Sequence, residues 1–417
     1  MNNKVLIIGG GAAGMACAVF LSKAGADVTV VDKNEKTGKK LYITGKGRCN
    51  FTNACGPEEF LENVVSNRKF LYSAAYGFTS DDALVFFAEL GLKTKIERGN
   101  RAFPASDHSS DVIRALNRGM DRYGVEIRLG KRGTVLEIIG SDPNCTGVRM
   151  ADGSVIGADY IVLATGGLSY PSTGSTGDGF RFARELGLKV TDMVPSLVAL
   201  HLEEEETAAA LEGLSLRNVT LTVKDGKKEL YSAFGEMLFT RNGISGPIVL
   251  SASARVVKIL EKKHLKAFID LKPALTDEQL DARVLRELEA GRKKQFGNAV
   301  APLFPAKMVP VIVAFSGIGR ERTAGSITRK EREDFVRLIK HFPLTLSGHG
   351  GFNEAVITQG GISVSEVDPH TMRIKKYDNL YAVGEVLDVD ALTGGFNLQI
   401  AWSTAHLAAE DIGRRII

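Results

Sequence analysis

The first apolar run of the chain predicts a strand that leads through a turn into a helix. Residues 4–8 carry four consecutive aliphatic side chains after a lysine, which is typical of a strand buried on both faces of a parallel sheet. Small and apolar residues from position 12 to position 21 predict a helix that can lie close to this sheet. A second aliphatic run over residues 27–32 ends on Asp32. The chain therefore opens as a strand, a turn, a helix and a second strand.

The turn of this unit has the glycines that a dinucleotide requires. In the sequence GGGAAG at residues 9–14, Gly9 permits a tight turn and Gly11 lets the backbone approach a pyrophosphate. Gly14 permits close packing of the helix on the strand, and phosphates are favoured at the positive end of that helix. Asp32, 18 residues beyond Gly14, is placed to accept a hydrogen bond from a ribose hydroxyl. The motif predicts a dinucleotide site but does not separate NAD from FAD.

Two later segments of the sequence also predict a strand that ends at a glycine. Residues 161–167 read IVLATGG, which is typical of a buried strand that ends in a glycine turn. Residues 380–388 read LYAVGEVLD, a strand that leads into an acidic turn. The sequence GGFNLQ at residues 394–399 then precedes an amphipathic helix over residues 400–412. Motifs from both ends of a chain that serve one ligand imply a discontinuous domain, with another segment inserted between its two parts.

The middle of the chain has a different pattern. β-Branched and apolar residues alternate or cluster over residues 194–202, 216–223 and 233–239, which predicts antiparallel strands. A capping box at residues 276–279 precedes apolar residues spaced along one helical face. The inserted segment is therefore predicted to be rich in strands first and helical afterwards.

Composition and charge mainly exclude classes of protein. The chain has 417 residues, enough for two or three domains, and its 44% hydrophobic residues are ordinary for a globular protein. A net charge of +4 without a long basic block predicts no nucleic-acid partner. The four cysteines form no CxxC pair, and no His or Cys group has metal-site spacing. Without a signal peptide or a bilayer-length apolar stretch, the chain is predicted to be cytoplasmic and to have no membrane partner. Its oligomeric state is not indicated.

Four longer segments carry a family resemblance. They are GKKLYITGKGRCNFTN at residues 38–53, GGLSYPSTGSTGDG at residues 166–179, FTRNGISGP at residues 239–247, and residues 384–399. With these segments the chain resembles the BaiN/aminoacetone-oxidase family of FAD-binding flavoproteins, within the glutathione-reductase-like superfamily of two-dinucleotide proteins. Asp32 departs from the glutamate that is more usual at its position, which keeps the ribose acceptor on a shorter arm. The resemblance identifies the cofactor, FAD, far better than it identifies the reaction.

The resemblance implies an α/β fold in which one domain interrupts another. A discontinuous Rossmann-like FAD-binding domain is expected over residues 1–191 and 344–417. A β-barrel-like domain inserted into it is expected over residues 192–255 and 309–343, and it carries a small helical domain over residues 256–308. The substrate is expected where the inserted domain covers the flavin, since ligand pockets are common at domain interfaces.

The resemblance also places cofactor-binding residues along most of the chain. The loop over residues 44–48 offers flexible backbone N–H donors and two cations, which suits an anionic cofactor. N–H groups in the first turn of the last helix are expected to hold the N1–C2=O edge of the flavin. The predicted cofactor-binding residues are Gly9, Gly11, Ala12, Ala13, Gly14, Asp32, Lys33, Lys40, Leu41, Gly45, Arg48, Asn50, Val135, Thr165, Gly166, Gly384, Glu385, Asp388, Asn397 and Leu398. Arg101 and Tyr170 are predicted on the substrate side, with a purely structural role as the alternative for each. No catalytic residue is predicted.

The predicted function is an FAD-dependent oxidoreductase that moves a hydride between flavin N5 and a small organic substrate. The resemblance favours an NAD(P)H-linked reductase of an activated C=C bond in a steroid-like or bile-acid-like enone, with an amine oxidase that uses O₂ on an aminoacetone-like substrate as the alternative. Because there is one complete GxGxxG fingerprint, NAD(P)H is expected to bind only transiently as the electron donor. Two functions of other classes stay open, a flavin-dependent nucleic-acid-modifying enzyme and a protein that binds FAD without turnover.

Overall fold

The computed structural model describes residues 3–416, and the chain divides into two compact units. The first unit consists of the chain up to Ser196 together with the chain from Gly351 onward. The second unit is the continuous stretch Leu197–Gly350. A unit built from two separate stretches is the discontinuous arrangement that the motifs at both ends of the chain imply.

Helices and strands are interleaved throughout the described part of the chain. In chain order the strands are β1 (Lys4–Ile8), β2 (Asp27–Asp32), β3 (Thr52–Asn53), β4 (Thr94–Glu97), β5 (Arg101–Pro104), β6 (Glu126–Leu129), β7 (Val135–Ser141), β8 (Asn144–Met150), β9 (Val155–Gly157), β10 (Tyr160–Leu163), β11 (Val194–Ser196), β12 (Leu200–Leu202), β13 (Ser215–Asp225), β14 (Lys228–Thr240), β15 (Gly243–Ser245), β16 (Leu265–Asp270), β17 (Phe342–His349), β18 (Ile357–Gln359) and β19 (Leu380–Ala382). The α-helices are α1 (Ala12–Lys23), α2 (Lys39–Ile43), α3 (Pro57–Glu62), α4 (Tyr72–Gly77), α5 (Ser80–Glu89), α6 (Ser109–Arg122), α7 (Asp178–Glu185), α8 (Glu205–Leu211), α9 (Pro247–Leu260), α10 (Asp277–Ala290), α11 (Phe296–Val300), α12 (Met308–Phe315), α13 (Arg329–Lys340) and α14 (Phe396–Ile416).

Five parallel strands form the central sheet of the first unit, in the order β19-β10-β1-β2-β6. β1 lies in the middle, and its residues Val5, Leu6 and Ile7 are at most 1% exposed. Side chains of successive strand residues point to opposite faces, so both faces of β1 are covered. The continuous aliphatic run at the start of the chain therefore marks the centre of the sheet, as its pattern predicts.

The first helix and the last helix pack against each other beside this sheet. Small residues on α1, including Ala16 and Ala18, are fully buried and let the two helices approach closely. Trp402 on α14 is fully buried, and its indole N–H donates to the carbonyl oxygen of Phe51 at 2.8 Å. The helix predicted over residues 400–412 is longer in the structure, because α14 already begins at Phe396.

Three small antiparallel sheets complete the first unit, namely β3-β5-β4, β7-β8-β9 and the pair β11-β18. The pair β11-β18 lies where the chain leaves the first unit and returns to it, because β11 ends at Ser196 and β18 follows Gly351. Val194 is paired with Gln359 there. These backbone hydrogen bonds bring together the two points of the first unit between which the second unit is inserted.

The second unit contains a closed barrel of six strands, in the order β12-β15-β14-β13-β16-β17. On β13 buried and more exposed residues alternate, with Val219, Leu221 and Val223 at most 2% exposed. This period of two places alternate side chains inside the barrel, and α9 packs against β14 and β17. The predicted α/β fold with an inserted barrel is confirmed.

A group of helices follows the barrel strands in the second unit. α10 begins at a capping box in which Thr276 and Gln279 bond to each other's backbone N–H groups, as predicted. α10 packs against α13, and the rings of Phe296 and Phe335 meet edge to face at 5.0 Å.

The structure places the segment bounds differently from the sequence. Residues 256–308 were predicted as the helical part, but they contain β16, which pairs with β13 and β17 inside the barrel. The helical group also extends to α13, within the stretch predicted to be rich in strands. The six-residue strand β16 lies between two helical stretches, and its pairing partners on β13 and β17 are distant from it in the sequence. The two junctions lie after Ser196 and after Gly350, some residues later than 191 and 343.

Candidate functional site

Three glycine-bearing turns meet at the carboxyl end of the central sheet. They follow β1, β10 and β19 directly. A Cβ atom at Gly9 would lie 2.4 Å from the carbonyl oxygen of Ala164, and one at Gly384 would lie 2.7 Å from the Cβ of Ala13. The first turn therefore touches both of the others, although the three are far apart in sequence. This edge is where open sheets of this type bind their ligands.

The turn after β1 presents an open backbone surface toward this edge. A Cβ atom at Gly14 would lie 1.9 Å from the carbonyl oxygen of Gly9, so helix and turn are packed as tightly as glycine allows. At Gly11 a Cβ atom would meet nothing within 4 Å, and no side chain caps α1 there. The first N–H groups of a helix have no intrahelical acceptor, so those of Ala12 and Ala13 are donors at an uncovered positive helix end. This surface fits the pyrophosphate of a dinucleotide.

Asp32, at the end of β2, is hydrogen-bonded to the glycine turn after β1 and to the residues that follow β2. Its carboxylate accepts the N–H of Gly10 at 2.7 Å and the N–H of Asn34 at 2.8 Å. Burial raises the pKa of Asp32, and the two backbone hydrogen bonds oppose this. A Cβ atom at Gly133 would lie 2.2 Å from the carbonyl oxygen of Asp32, which brings buried Val135, two residues further on, to the same edge. Asp32 therefore fixes the turn and retains acceptor capacity for a ribose hydroxyl.

Lys33, the next predicted residue, is paired within the protein. Its ammonium group lies 2.5 Å from a carboxylate oxygen of Asp178 and also donates to the hydroxyl of Thr176. The neighbouring Asn34 donates to the carbonyl oxygen of Thr173 at 3.0 Å. These bonds hold the segment after the second glycine turn against the end of β2.

Lys40 and Glu385, both predicted at the cofactor, form an ion pair. Lys40 Nζ lies 2.6 Å and 2.9 Å from the two carboxylate oxygens of Glu385, and both side chains are about one-fifth exposed. Glu385 also accepts the N–H of Thr358 at 2.9 Å. A Cβ atom at Gly166 would lie 3.9 Å from the same carboxylate. The pair joins α2 to two of the three turns without adding net charge.

Arg48 is paired with acidic side chains of the protein. Its guanidinium lies 2.5 Å from Glu97 and 2.5 Å from Asp107, and 4.3 Å from the centroid of the Phe103 ring. Hydrogen bonds from Arg48 lower the pKa of Glu97, and those from Lys95 and Arg48 lower the pKa of Asp107. Two carboxylates therefore balance the charge of Arg48, a residue that the sequence predicts at the cofactor.

Other members of this loop differ in what they offer a ligand. Leu41 is 2% exposed and belongs to the core, so only its backbone can face a cofactor. Gly45 lies on the exposed part of the loop. The Oδ1 atom of Asn50 is buried and has no hydrogen-bond partner within residues 3–416. It would lie 2.9 Å from a Cβ atom at Gly395, which places this acceptor at the start of α14.

α14 begins at Phe396, so Asn397 and Leu398, both predicted to bind the flavin, lie in its first turn. The side chain of Asn397 does not cap this helix. It accepts the N–H of Ala391 at 2.9 Å and donates to the carbonyl oxygen of Ala391 at 2.8 Å, so it holds the preceding loop. No acceptor within the described residues takes the N–H of Leu398. A free N–H donor and a free Asn50 acceptor at one helix end fit the polar edge of a flavin.

The remaining predicted residues occupy separate places. Thr165 has its hydroxyl buried against Gly179, where a Cβ atom would lie only 2.1 Å from it. Asp388 is fixed through its backbone, since its N–H donates to Ile362 and its carbonyl accepts from Asn67. For the predicted substrate side, the N–H of Tyr170 donates to the carbonyl oxygen of Phe352, whereas Arg101 lies on β5. Within residues 3–416 no hydrogen bond joins Tyr170 to Arg101.

A buried polar group around Asp390 lies beside the site and was not predicted from the sequence. Asp390 is fully buried, and it accepts a hydrogen bond from the amide of Gln359 at 3.0 Å and from the hydroxyl of Ser196 at 3.4 Å. Nearby, the hydroxyl of Thr358 accepts the N–H groups of Leu168 at 2.8 Å and of Ser169 at 3.1 Å. The spacing Asp388-Val389-Asp390, with an acid on either side of an apolar residue, was the available signal.

Residues 3–416 contain no group of three or more His, Cys, Asp or Glu side chains arranged to hold a metal ion. Across the same residues, none of the helices combines the length and the apolar character that crossing a membrane requires.

The fold and the convergent turns define a dinucleotide-binding protein of the Rossmann type. The chain belongs to the HI0933-like protein Rossmann-domain family, which matches residues 3–411. It is 33% identical to the 3-dehydro-bile acid delta(4,6)-reductase of Clostridium scindens, across 99% of this chain and 100% of that protein. It is 32% identical to the ribosomal RNA dihydrouridine synthase of Haemophilus influenzae, across 98% of each.

Among solved structures, the open conformation of a flavocytochrome c3 fumarate reductase resembles the chain with a TM-score of 0.51 and 17% identity. The match covers 100% of this chain and 78% of that chain, and it shows a shared fold. Family membership confirms the resemblance, the cofactor FAD and the class of enzyme predicted from the sequence. The chain is an FAD-dependent oxidoreductase.

Proposed function

We propose that this chain reduces a carbon–carbon double bond conjugated to a carbonyl group in a small, steroid-like or bile-acid-like molecule, with NAD(P)H as the electron donor. Bound FAD would carry the hydride between donor and substrate. The net reaction adds that hydride to one carbon of the double bond and a proton from solvent to the other, and NAD(P)⁺ is released.

The observation that carries this proposal is the chemistry shared by two nearly full-length relatives. The name delta(4,6)-reductase denotes reduction of ring double bonds in an oxo bile acid. Dihydrouridine is uridine whose ring double bond, next to a carbonyl, has been reduced, and its synthase is the other relative. The two substrates differ in size and class, but the bond is of the same kind. An enone reductase is therefore supported better than an amine oxidase.

We propose that the convergent turns hold FAD through their backbone more than through charge. The N–H groups of Ala12 and Ala13 would face the pyrophosphate, and Asp32 would accept from the adenosine ribose. Asn50 and the N–H of Leu398 would face the polar edge of the flavin ring. The pair Lys40–Glu385 is internally neutral, so it would shape the site by position.

Anaerobic rapid mixing tests the proposed reaction. The oxidised holoenzyme is mixed with NADH or NADPH, bleaching of the flavin absorbance is recorded, and the reduced enzyme is then mixed with a steroid enone. The expected result is reduction by one of the two donors and reoxidation by the enone with loss of its conjugated absorbance. Reduction by aminoacetone followed by reoxidation only with O₂ would assign the enzyme to the amine oxidases instead.

A second candidate is reduction of uridine in ribosomal RNA. It is favoured by two relatives with that name, from Haemophilus influenzae and, at 29% identity, from Escherichia coli. Treating ribosomal RNA with the reduced enzyme and measuring dihydrouridine by mass spectrometry distinguishes the candidates. Dihydrouridine without any turnover of small enones would replace the first proposal by this one.

A further inference from the structure

The hairpin formed by β4 and β5 is fixed against the residues that precede α14. The side-chain amide of Asn53 donates to the carbonyl oxygen of Gly99 at 3.1 Å and to that of Gly394 at 3.0 Å. The N–H of Ala54 donates to the carbonyl oxygen of Asn100 at 2.7 Å. Two carbonyl groups of the hairpin tip are therefore held in place. The tip lies beside the glycine pair from which the first turn of α14 starts.

Two arginines, Arg48 and Arg101, lie near the ring of Phe103, which is part of this hairpin. Among the described residues, one of them is paired with carboxylates and the other is not. Arg48 is neutralised by Glu97 and Asp107. The guanidinium of Arg101 lies 5.8 Å from the centroid of the ring, and its Nε donates to the carbonyl oxygen of Arg98 at 3.1 Å. No carboxylate of residues 3–416 lies within ion-pair distance of Arg101. Arg101 thus carries a positive charge that the described residues leave unbalanced.

The strand register gives the direction of the Arg101 side chain. Arg101 is directly opposite Asn53 in the antiparallel pair of β3 and β5. Directly opposite residues lie on the same face of a sheet, so Arg101 leaves the sheet on the side from which Asn53 reaches Gly394. Phe103, two residues along the strand, lies on that face as well. The exposed Arg101 side chain therefore lies on the face of the sheet whose Asn53 contacts Gly394, two residues before α14 begins.

We propose that Arg101 determines substrate specificity by binding a carboxylate that the substrate carries away from its conjugated double bond. The planar guanidinium matches a carboxylate with two parallel hydrogen bonds, and a hydrogen bond between charged groups is roughly twice as strong as a neutral one. This assignment rests on the proposed function, because it takes the double bond to react next to the first turn of α14. The substrate class is then an enone acid and not a neutral enone.

A pair of probes that differ only in charge tests the assignment. The oxidised holoenzyme is titrated with a steroid enone that carries a side-chain carboxylate, and separately with the methyl ester of the same steroid, while the flavin absorbance is recorded. We expect the native enzyme to bind the acid about tenfold more tightly than the ester, as one charge-assisted interaction implies. Arg101→Ala should remove that preference, Arg101→Lys should retain part of it, and kcat/KM should follow in the same order.

Arg98→Ala is the matched control, because it removes a neighbouring exposed arginine while its backbone carbonyl, the acceptor for Arg101, remains. It should leave the preference for the acid unchanged. Equal weakening of acid and ester by Arg101→Ala, or an equal effect of Arg98→Ala, would overturn the assignment. The assignment would also be overturned if the native enzyme bound acid and ester equally tightly and Arg101→Ala weakened its binding of ribosomal RNA.

The design separates this assignment from the proposed function. Binding of the acid that depends on Arg101, without reduction of its double bond, would support the carboxylate site and refute the proposed reaction. Reduction of acid and ester with equal kcat/KM in the native enzyme would support the reaction and refute the role of Arg101.

Discussion

Replacing Leu398 with proline removes one N–H donor from the first turn of α14. The described residues provide no acceptor for this N–H, so the substitution breaks no hydrogen bond within the protein. Proline is tolerated in the first turn of a helix, where N–H groups have no intrahelical partner. If the flavin accepts this hydrogen bond at its N1–C2=O edge, the loss concerns the reduced cofactor most, because the negative charge of reduced flavin is located there.

The size of the effect follows from charges near helix ends. One such interaction contributes typically 0.3–1 kcal/mol, so we expect a loss of about 1 kcal/mol for the reduced state relative to the oxidised state. For a two-electron couple this is a decrease of roughly 20 mV in the flavin potential. Equilibration with a reference dye of known potential measures it. Urea unfolding of the same samples shows whether the fold is retained.

The proline also removes a partly buried side chain, which packs against the core. Leu398→Ala is the matched control, since it removes the same side chain but keeps the N–H. We expect the potential of Leu398→Ala to remain close to that of the native enzyme. Equal potentials for Leu398→Pro and Leu398→Ala would show that the flavin does not accept this hydrogen bond, and would refute the placement of the ring at α14.

Four other substitutions or conditions give defined outcomes. Asp32→Ala should weaken FAD more than FMN, which lacks the adenosine ribose; equal losses in equilibrium dialysis would contradict a ribose contact. Burial raises the pKa of Asp32, so the carboxylate becomes protonated at a higher pH than an ordinary aspartate, and on acidification there it loses its charge and accepts hydrogen bonds more weakly. FAD affinity measured against pH should fall in that range in the native enzyme and not in Asp32→Asn. Gly14→Ala places a Cβ 1.9 Å from a backbone oxygen, so it should lower the melting temperature and release FAD. Gly25→Ala is the control: its backbone is strained, with φ of 93°, but its Cβ meets nothing within 4 Å, so it should retain FAD. Replacing residues 197–350 by a short Gly/Ser linker should leave FAD bound and abolish normal turnover; unchanged kinetics would remove any role of this segment in the reaction.

The local sequence determined most of the FAD-binding core. A buried aliphatic strand, the GGGAAG turn and a small-residue helix are dictated by residues close to one another, so β1, α1 and the end of β2 were predicted at the right positions. The capping box at Thr276 was predicted for the same reason, since its two partners are three residues apart. For the last helix the sequence predicted residues 400–412, and α14 begins earlier, at Phe396, directly after Gly394-Gly395.

The tertiary structure alone decided the partners of the charged groups. The sequence placed Lys40, Arg48 and Glu385 near FAD, but it did not show that Lys40 pairs with Glu385, 345 residues away. It also did not show that Glu97 and Asp107 engage Arg48 while Arg101 stays unbalanced. The short strand β16 is also defined by distant residues, because it pairs with β13 and β17. The hydrogen bonds of Asp390 come from Ser196 and Gln359, which are likewise far from it in the sequence. Local propensity acts over a few residues, whereas a charge is balanced by whichever group the fold brings within a few ångströms, and that choice exists only after folding.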